Sequence, residues 1–243
     1  MPSTIQVFGT LVTAAALMIG DPVSLVTPQN NPDDLLLVNR DWPVSGDYAP
    51  DVRVSQVPGQ VRKLREEAAT ALEAMFAACK AETGAQLISV SGYRDYEKQA
   101  RIYNNKLKRV HGSVEKADEY VARAGTSEHQ TGLTMDVGQR SVKDSLGDEF
   151  GLSTGGIWIR ENCWRFGFIL RYDRGWEEIT GYEYEPWHVR YVGLAHAAGL
   201  HAHPQPLETY LLTVRQERFM EILGTEEEII GVLAVPETAG EEE

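Results

Sequence analysis

A short alternating segment constrains the fold of this chain more than any other feature. Its apolar positions are Leu133, Met135 and Val137, and the positions between them are Thr134, Asp136 and Gly138. Because successive side chains of a strand point to opposite faces, the pattern predicts a strand with one buried face. Asp136 then lies on the other face, directed away from the apolar core.

Helical and strand patterns are mixed around this strand. In residues 57–83 apolar side chains recur at three- and four-residue steps, which predicts a helix that ends at Gly84. Further helices are predicted at residues 95–108, 113–123, 153–166 and 206–223, with Asp95 and Ser113 as N-caps. Strands are predicted at residues 35–38, 87–90, 168–170 and 187–192, and a loop at 125–132. Since regular βαβ alternation is missing, we predict an α+β fold with a mostly antiparallel sheet flanked by helices.

The length of 243 residues suits one large domain, or one domain with extensions. We assign the domain to residues 35–223 and an acidic C-terminal tail, typical of a solvated chain end, to residues 224–243. The formal net charge is -13 and the pI is about 4.9. This charge argues against a nucleic-acid partner and provides no basic patch for anionic lipid.

The first 34 residues allow two interpretations. Residues 5–19 are largely apolar, but Gly9, Thr10 and Thr13 interrupt them, and no Lys or Arg precedes Arg40. The segment lacks the charged front of a signal peptide and is short for a membrane span. It is either an ordered N-terminal arm or the remnant of an export segment. We therefore leave both cell-envelope and cytoplasmic localisation open and favour the envelope.

The two cysteines, Cys79 and Cys163, exclude a disulfide framework and argue against a cysteine-based zinc site. Both lie in apolar, helix-like surroundings, which is typical of buried free thiols. One disulfide between them stays open as an alternative.

The first segment that can carry chemistry is residues 127–136, where His129 precedes the predicted strand and Asp136 lies on it. Imidazole nitrogen and carboxylate oxygen are both good zinc ligands. On their own, the two residues fit a capped loop histidine and a surface aspartate better than a metal site.

The second segment is Glu185-Pro186-Trp187-His188. His188 is a candidate third ligand, and two histidines with one carboxylate leave a coordination position open, as in catalytic zinc sites. Zinc lowers the pKa of a bound water to about 7, and Glu185 is placed to exchange a proton with that water. Trp187 alone fits a core or pocket-wall aromatic residue.

The third segment is Ser91-Gly92-Tyr93-Arg94-Asp95, in which Arg94 follows a predicted strand and turn. A guanidinium in such a position is suited to bind the free carboxylate of a peptide end. The alternative is a surface ion pair with Asp95 or Glu97.

Together these segments resemble the D-alanyl-D-alanine carboxypeptidases of the vancomycin-resistance type, in the zinc peptidase group that includes lysostaphin and the hedgehog signalling domain. The group signature runs Ser-x-His-x-x-Gly-x-Ala-x-Asp and is followed later by Glu-x-x-His. The matching residues are Ser127, His129, Gly132, Asp136, Glu185 and His188. Thr134 stands where alanine is usual, which affects local packing more than metal binding. The resemblance covers roughly residues 35–212.

The resemblance implies Zn2+ held by His129, Asp136 and His188, with Glu185 as general base and acid. It implies that Arg94 stabilises the scissile carbonyl or binds the substrate carboxylate. Further substrate contacts would come from Ser127, Gln99, Tyr93 and Trp187. His196 is either an outer neighbour of the site or a surface residue, and we interpret His201 and His203 as surface residues.

The function that the resemblance implies is a zinc-dependent D,D-carboxypeptidase acting on peptidoglycan stem peptides that end in D-Ala. One alternative is an L,D-carboxypeptidase or a D,D-dipeptidase with the same metal chemistry. Another is a non-catalytic binding module that keeps the zinc fold, although such a module has no need of Glu185. No protein partner is implied.

Overall fold

An antiparallel sheet lies at the centre of the computed structural model, which describes residues 33–143 and 146–223. The first two strands, β1 (Arg53–Val54) and β2 (Lys63–Leu64), form a small separate pair. The main sheet contains β3 (Leu87–Ser91), β4 (Thr134–Gln139), β5 (Phe168–Leu170) and β6 (His188–Tyr191). Its strand order is β3-β4-β6-β5, and every neighbouring pair is antiparallel.

Helices surround this sheet. They are α1 (Glu66–Thr83), α2 (Tyr96–Arg109), α3 (Val114–Asp118), α4 (Asp148–Gly151), α5 (Thr154–Asn162), α6 (Glu177–Thr180), α7 (Leu194–Ala202) and α8 (Leu207–Leu223). Short 3-10 helices occur at Asp33–Leu35, Glu128–Thr131 and Cys163–Phe166. The predicted α+β fold with an antiparallel sheet flanked by helices is confirmed. Within the described residues, no helix combines the length and the apolar character needed to cross a membrane.

Local side-chain chemistry sets several helix ends as predicted. The carboxylate of Asp95 accepts a hydrogen bond from the backbone N–H of Lys98 at 2.7 Å, and Ser113 caps α3 in the same way. At the end of α1, Gly84 adopts a φ of 76°, the left-handed conformation in which glycine is favoured.

Two apolar clusters hold the sheet in place. The larger one packs β3, β4 and β6 against α1 and α5, with Leu72, Met135 and Ile159 fully buried. The smaller one joins the segment after residue 33 to β5, α7 and α8, and includes Leu35 and Leu207. The sheet therefore lies between helix α1 on one side and the two ends of the described chain on the other.

Two predicted elements were wrong in extent or type. The helix predicted from residue 57 begins only at Glu66, because Lys63 and Leu64 pair with β1 and the Lys63 carbonyl accepts from the N–H of Tyr93 at 2.8 Å. Residues 35–38 are buried but form no strand. The carbonyls of Asp34 and Leu36 accept hydrogen bonds from Arg190 instead, so a side chain replaces the partner strand that we expected.

Two other helices are shorter than predicted. The helix predicted at 113–123 ends at Asp118, whose carboxylate accepts from the guanidinium of Arg123 at 2.7 Å. The helix predicted at 153–166 ends at Asn162 and tightens into a 3-10 turn before Gly167.

Both cysteines are buried free thiols, so the alternative of a disulfide is excluded. Burial raises the pKa of Cys163 to about 12. The predictions for residues 1–32 and 224–243, including an export segment and the acidic tail, lie outside the described residues and stay predictions, as does the localisation.

Two helical glycines provide a test of the packing around the sheet. A Cβ atom at Gly156 in α5 would lie 1.9 Å from the carbonyl oxygen of Phe150, whereas at Gly199 in α7 it would be 3.6 Å from the hydroxyl of Tyr210. We expect Gly156→Ala to lower the free energy of unfolding by about 3 kcal/mol through overpacking. Gly199→Ala should leave it unchanged or raise it by up to about 1 kcal/mol. Urea denaturation of both variants measures the difference, and equal stabilities would contradict this packing.

Candidate active site

One face of the main sheet carries polar side chains at its centre. The pairing of β4 with β6 places Asp136 directly opposite His188, and Thr134 opposite Arg190. Because side chains alternate along each strand, Met135 and Val189 point to the other face, where they belong to the larger apolar cluster. The register alone therefore brings two of the predicted zinc ligands together.

The third predicted ligand, His129, lies in the 3-10 turn Glu128–Thr131 just before β4. Its Nδ1 is 2.9 Å from the carbonyl oxygen of Gly92. A carbonyl only accepts, so Nδ1 carries the proton and Nε2 keeps its lone pair. That Nε2 lies 3.3 Å from Oδ1 of Asp136. Gly92 itself packs closely against β2, because a Cβ there would be 2.5 Å from the Lys63 carbonyl oxygen.

Nδ1 of His188 completes a compact cluster of three donors, 3.4 Å from the same Oδ1 of Asp136. Ligand atoms of His129, Asp136 and His188 all lie within 4.8 Å of one another, and all three residues are buried. Nε2 of His129 and Oδ1 of Asp136 have no hydrogen-bond partner among the described residues. Buried polar atoms without partners are costly, so the cluster points to an ion that is shared between them.

The spacing of this cluster fits zinc. Two ligands with bonds of about 2.0–2.1 Å to a tetrahedral ion stand about 3.3–3.4 Å apart. The separations around Oδ1 of Asp136 are 3.3 Å to His129 and 3.4 Å to His188. Two imidazoles and one carboxylate also leave the fourth position open, as catalytic zinc requires.

Glu185 reaches this cluster through a tight turn. The carbonyl of Glu185 accepts from the N–H of His188 at 3.1 Å, and Pro186 occupies the second position of the turn, where its fixed φ is favoured. The carboxylate consequently returns to within 3.2 Å of Nδ1 of His188. Burial raises the pKa of Glu185, against the opposing effect of its hydrogen bond with His188.

Arg94 follows β3 and lies on the other side of Asp136. Its backbone N–H donates to the carbonyl of His129 at 3.1 Å, and its Nη2 is 3.9 Å from Oδ2 of Asp136. The side chain is largely buried, and its Nε is fully buried and has no partner in the part of the chain that the structure describes. The alternative of a surface pair with Asp95 or Glu97 is therefore wrong.

The other predicted contacts surround this centre less tightly. Ser127 is buried at the start of the turn that carries His129. Gln99 is buried on α2 and donates through Nε2 to the Ala122 carbonyl at 2.6 Å, while its Oε1 has no partner among the described residues. Tyr93 is partly buried, and burial raises its pKa. Trp187 packs partly against the larger apolar cluster. Roles for these four residues stay predictions.

The electrostatics of the cluster favour a cation. Burial and then the charge of Arg94 lower the pKa of His129 to about 4, so its imidazole is neutral at pH 7. Burial alone would raise the pKa of Asp136, but its interactions with His129 and then with His188 lower it. Burial alone would lower the pKa of His188, but its interactions with Asp136, Glu128 and Glu185 raise it. Carboxylates of Asp136, Glu128 and Glu185 surround His188, and their negative field attracts a positive charge to this point.

Comparison with known proteins places this geometry in a family. The family model described as "VanY: D-alanyl-D-alanine carboxypeptidase" matches residues 61–194, which is more than half of the chain and includes all the residues of the cluster. The chain belongs to the D-alanyl-D-alanine carboxypeptidase family.

Relatives and solved structures of similar proteins agree with this assignment. The putative carboxypeptidase YodJ of Bacillus subtilis is 43% identical over 199 residues, covering 79% of this chain and 72% of YodJ. The structure of the LdcB LD-carboxypeptidase has a TM-score of 0.69 at 43% identity, covering 75% of this chain and 87% of that one.

A mutant of VanY, a vancomycin resistance D,D-pentapeptidase, was solved in complex with Zn(II). It has a TM-score of 0.63 at 34% identity and covers 74% of this chain and 99% of that one. VanYB in complex with D-alanine-D-alanine gives the same TM-score of 0.63 and 34% identity, covering 74% of this chain and 98% of that one. These matches confirm the predicted family, fold and enzyme class, and the protein is a hydrolase of the carboxypeptidase type.

Glu128 is a residue of this carboxypeptidase for which the sequence patterns predicted no role. Its carboxylate is fully buried beneath the cluster, 2.8 Å from Nε of Arg171 and 3.0 Å from Nη1 of Arg190. The sequence did indicate a buried charge beside the site, because Arg190 follows His188 by two positions in a predicted strand. Its side chain therefore lies on the same face of the strand as that of His188. Tyr172 was also missed, and its ring centroid lies 4.7 Å from that of His188.

Metal binding by the carboxypeptidase can be tested with two histidine variants. His129→Ala removes one of the three buried donors, and we expect it to abolish tight zinc binding. His201→Ala removes an exposed imidazole that stacks on Trp164 at 4.4 Å, and should bind zinc like the wild type. Isothermal titration of the metal-free proteins with zinc reports both. Equal zinc binding by the two variants would place the metal elsewhere.

Proposed function

We propose that this chain is a zinc-dependent D,D-carboxypeptidase that removes the C-terminal D-Ala from peptidoglycan precursor peptides. The observation that carries the proposal is the buried Glu185 carboxylate, 3.2 Å from a histidine nitrogen of the three-donor cluster. A carboxylate beside a zinc site with an open position is the arrangement of a metal-dependent hydrolase.

Zinc is the proposed cofactor, and the described residues fit it. Nε2 of His129, Oδ1 of Asp136 and Nδ1 of His188 would hold the ion, since these atoms converge on one point. When bound, zinc polarises a carbonyl and lowers the pKa of a water. The Zn(II) in the VanY structure supports this assignment.

Glu185 is the proposed general base and then general acid. It removes a proton from the attacking water and delivers that proton to the leaving amine of the terminal residue. The turn through Pro186 fixes the carboxylate on the same side as the donor cluster, so it needs no large movement to act. Burial, which raises its pKa, also strengthens its hold on the proton between the two steps.

Arg94 is the proposed anchor for negative charge on the substrate. Its guanidinium is buried near Asp136, and Nε is free among the described residues to donate. A fixed guanidinium stabilises either the free carboxylate of the peptide or the oxyanion that develops at the scissile carbonyl.

The nature of the substrate rests on relatives. VanYB was solved with D-alanine-D-alanine, which supports a peptide that ends in D-Ala. The likeness to the LdcB LD-carboxypeptidase favours a second candidate, cleavage of a tetrapeptide by L,D-carboxypeptidase activity. Both candidates release D-Ala and use the same metal chemistry, but the residue before the cleaved bond is D-Ala in the pentapeptide and an L-amino acid in the tetrapeptide.

A panel of peptides separates these candidates. The zinc-loaded protein is incubated with a stem pentapeptide, a stem tetrapeptide and free D-Ala-D-Ala, and released D-Ala is quantified by mass spectrometry. We expect kcat/KM for the pentapeptide to exceed that for the tetrapeptide by at least about tenfold, or ~1.4 kcal/mol of transition-state binding. A faster reaction of the tetrapeptide would assign L,D-carboxypeptidase activity. Turnover of the dipeptide alone would assign D,D-dipeptidase activity.

The role of Glu185 separates an enzyme from a binding module. Glu185→Gln should lower kcat by about 100- to 10,000-fold, because it removes the proton carrier, while zinc stays bound. Glu183→Gln changes an exposed glutamate two residues away and should retain wild-type kcat. If Glu185→Gln hydrolysed the peptide as fast as the wild type, this mechanism would be wrong.

A further inference from the structure

Glu128 lies directly beneath the metal cluster and is completely buried with its two arginine partners. One carboxylate oxygen, Oε1, accepts from Nε of Arg171 at 2.8 Å and from Nη1 of Arg190 at 3.0 Å. These two bonds fix the position of the whole carboxylate group. Its direction in the site is therefore set by the protein and does not depend on a ligand.

The second oxygen, Oε2, is directed at His188. It lies 3.6 Å from Nε2 of His188, slightly beyond hydrogen-bond length. Both atoms are buried, and neither has a hydrogen-bond partner among the described residues. A small rotation of the imidazole closes the gap and satisfies both atoms at once.

The two nitrogens of His188 therefore face different groups. Nδ1 faces Asp136 and Glu185, whereas Nε2 faces Glu128. An imidazole that binds a metal through Nδ1 carries its proton on Nε2, and this buried N–H needs an acceptor. Such acceptors fix the orientation and tautomer of metal-binding histidines.

We propose that Glu128 is a positioning residue that accepts the Nε2–H of His188 and so presents Nδ1 to the metal. The proposal rests on the proposed function for the identity of the metal site. Glu128 touches neither substrate nor metal and acts only through the imidazole.

Arg171 and Arg190 connect this anchor to the ends of the described chain. Arg171 also donates to both carboxylate oxygens of Glu208 on α8, at 3.0 and 2.5 Å. Arg190 also donates to the carbonyls of Asp34 and Leu36, at 3.0 and 2.8 Å. Two arginines and two glutamates balance in charge, so none of these four charges needs the metal as a partner.

This network provides a matched control. Glu128 and Glu208 both pair with Arg171, but the recorded partners of Glu208 are Arg171 and Asn39, and His188 is not among them. If Glu128 serves only to neutralise the arginines, replacing either glutamate should have the same effect on metal binding. If Glu128 positions His188, only its own replacement should weaken the metal.

The test compares zinc affinity of Glu128→Gln and Glu208→Gln by competition with a chromophoric chelator, using the metal alone and the full chain. A glutamine at 128 keeps one acceptor for the arginines but can turn its NH2 donor toward the N–H of His188. We expect zinc to bind about 10- to 100-fold more weakly to Glu128→Gln and with nearly wild-type affinity to Glu208→Gln. Equal losses in both variants, or none in Glu128→Gln, would overturn the proposal.

A measurement on the wild type keeps the proposal falsifiable if Glu128→Gln does not fold. Long-range 1H–15N correlation spectra of the zinc-loaded protein should show the His188 proton on Nε2, with slow exchange and a downfield shift from its bond to Glu128. A proton on Nδ1 would contradict the proposal. Neither measurement involves a peptide, so failure of the proposed function would appear separately, as zinc binding without peptide hydrolysis.

Discussion

The pairing of β4 with β6 is the constraint on which the rest of the site depends. Asp136 and His188 stand directly opposite one another because the two strands pair in one particular register. A slip of one residue would turn either side chain into the apolar cluster that contains Met135 and Val189. That cluster includes side chains of α1, so burial of ordinary apolar side chains fixes the register, and the register in turn fixes the positions of two predicted metal ligands. The precise placement of Asp136 and His188 therefore depends on non-specific hydrophobic burial on the opposite face of the sheet.

Around Arg171 and Arg190 the polar face of the sheet is covered by protein, which strengthens the interactions of the charges there. Residues after 33 and helix α8 close over this part of the face, joined by the smaller apolar cluster. Beneath this cover, Glu128, Arg171 and Arg190 are all fully buried. Buried ion pairs contribute little net stability compared with apolar packing of the same volume, but breaking one is strongly destabilising. Their contribution here is geometric, because each of the three charges is held in one position. They lie next to His188, whose ring orientation determines which of its nitrogens faces the donor cluster.

Much of the site could be predicted from the sequence, because most of its residues lie close together in short segments of the chain. His129 and Asp136 are separated by one turn and half a strand, and Glu185 and His188 by one turn with Pro186, so short patterns determine their relative positions. The wrong predictions concern segments whose structure depends on partners elsewhere in the chain. Val61 and Leu64 fit a helical period, but their segment pairs with a strand ten residues earlier. Residues 35–38 look like a strand, but the Leu36 carbonyl, like the Asp34 carbonyl just before this segment, accepts from Arg190, more than 150 residues later. Glu128 was missed for the same reason, since its partners Arg171 and Arg190 come together with it only in the folded chain.

The roles proposed for the site residues separate chemistry from specificity. The donor cluster and Glu185 would determine what reaction is possible, and nothing in their geometry distinguishes one D-Ala peptide from another. The residues that surround them come from separate elements: Tyr93 follows β3, Gln99 lies on α2, and Trp187 lies in the turn before β6. Gln99 lies outside the two paired strands that place Asp136 opposite His188, whereas Trp187 directly precedes His188 and its carbonyl accepts from the N–H of Val137 on β4. The substrate contact proposed for Gln99 can therefore change without altering the β4–β6 register, while a change at Trp187 acts on the same turn that carries Glu185.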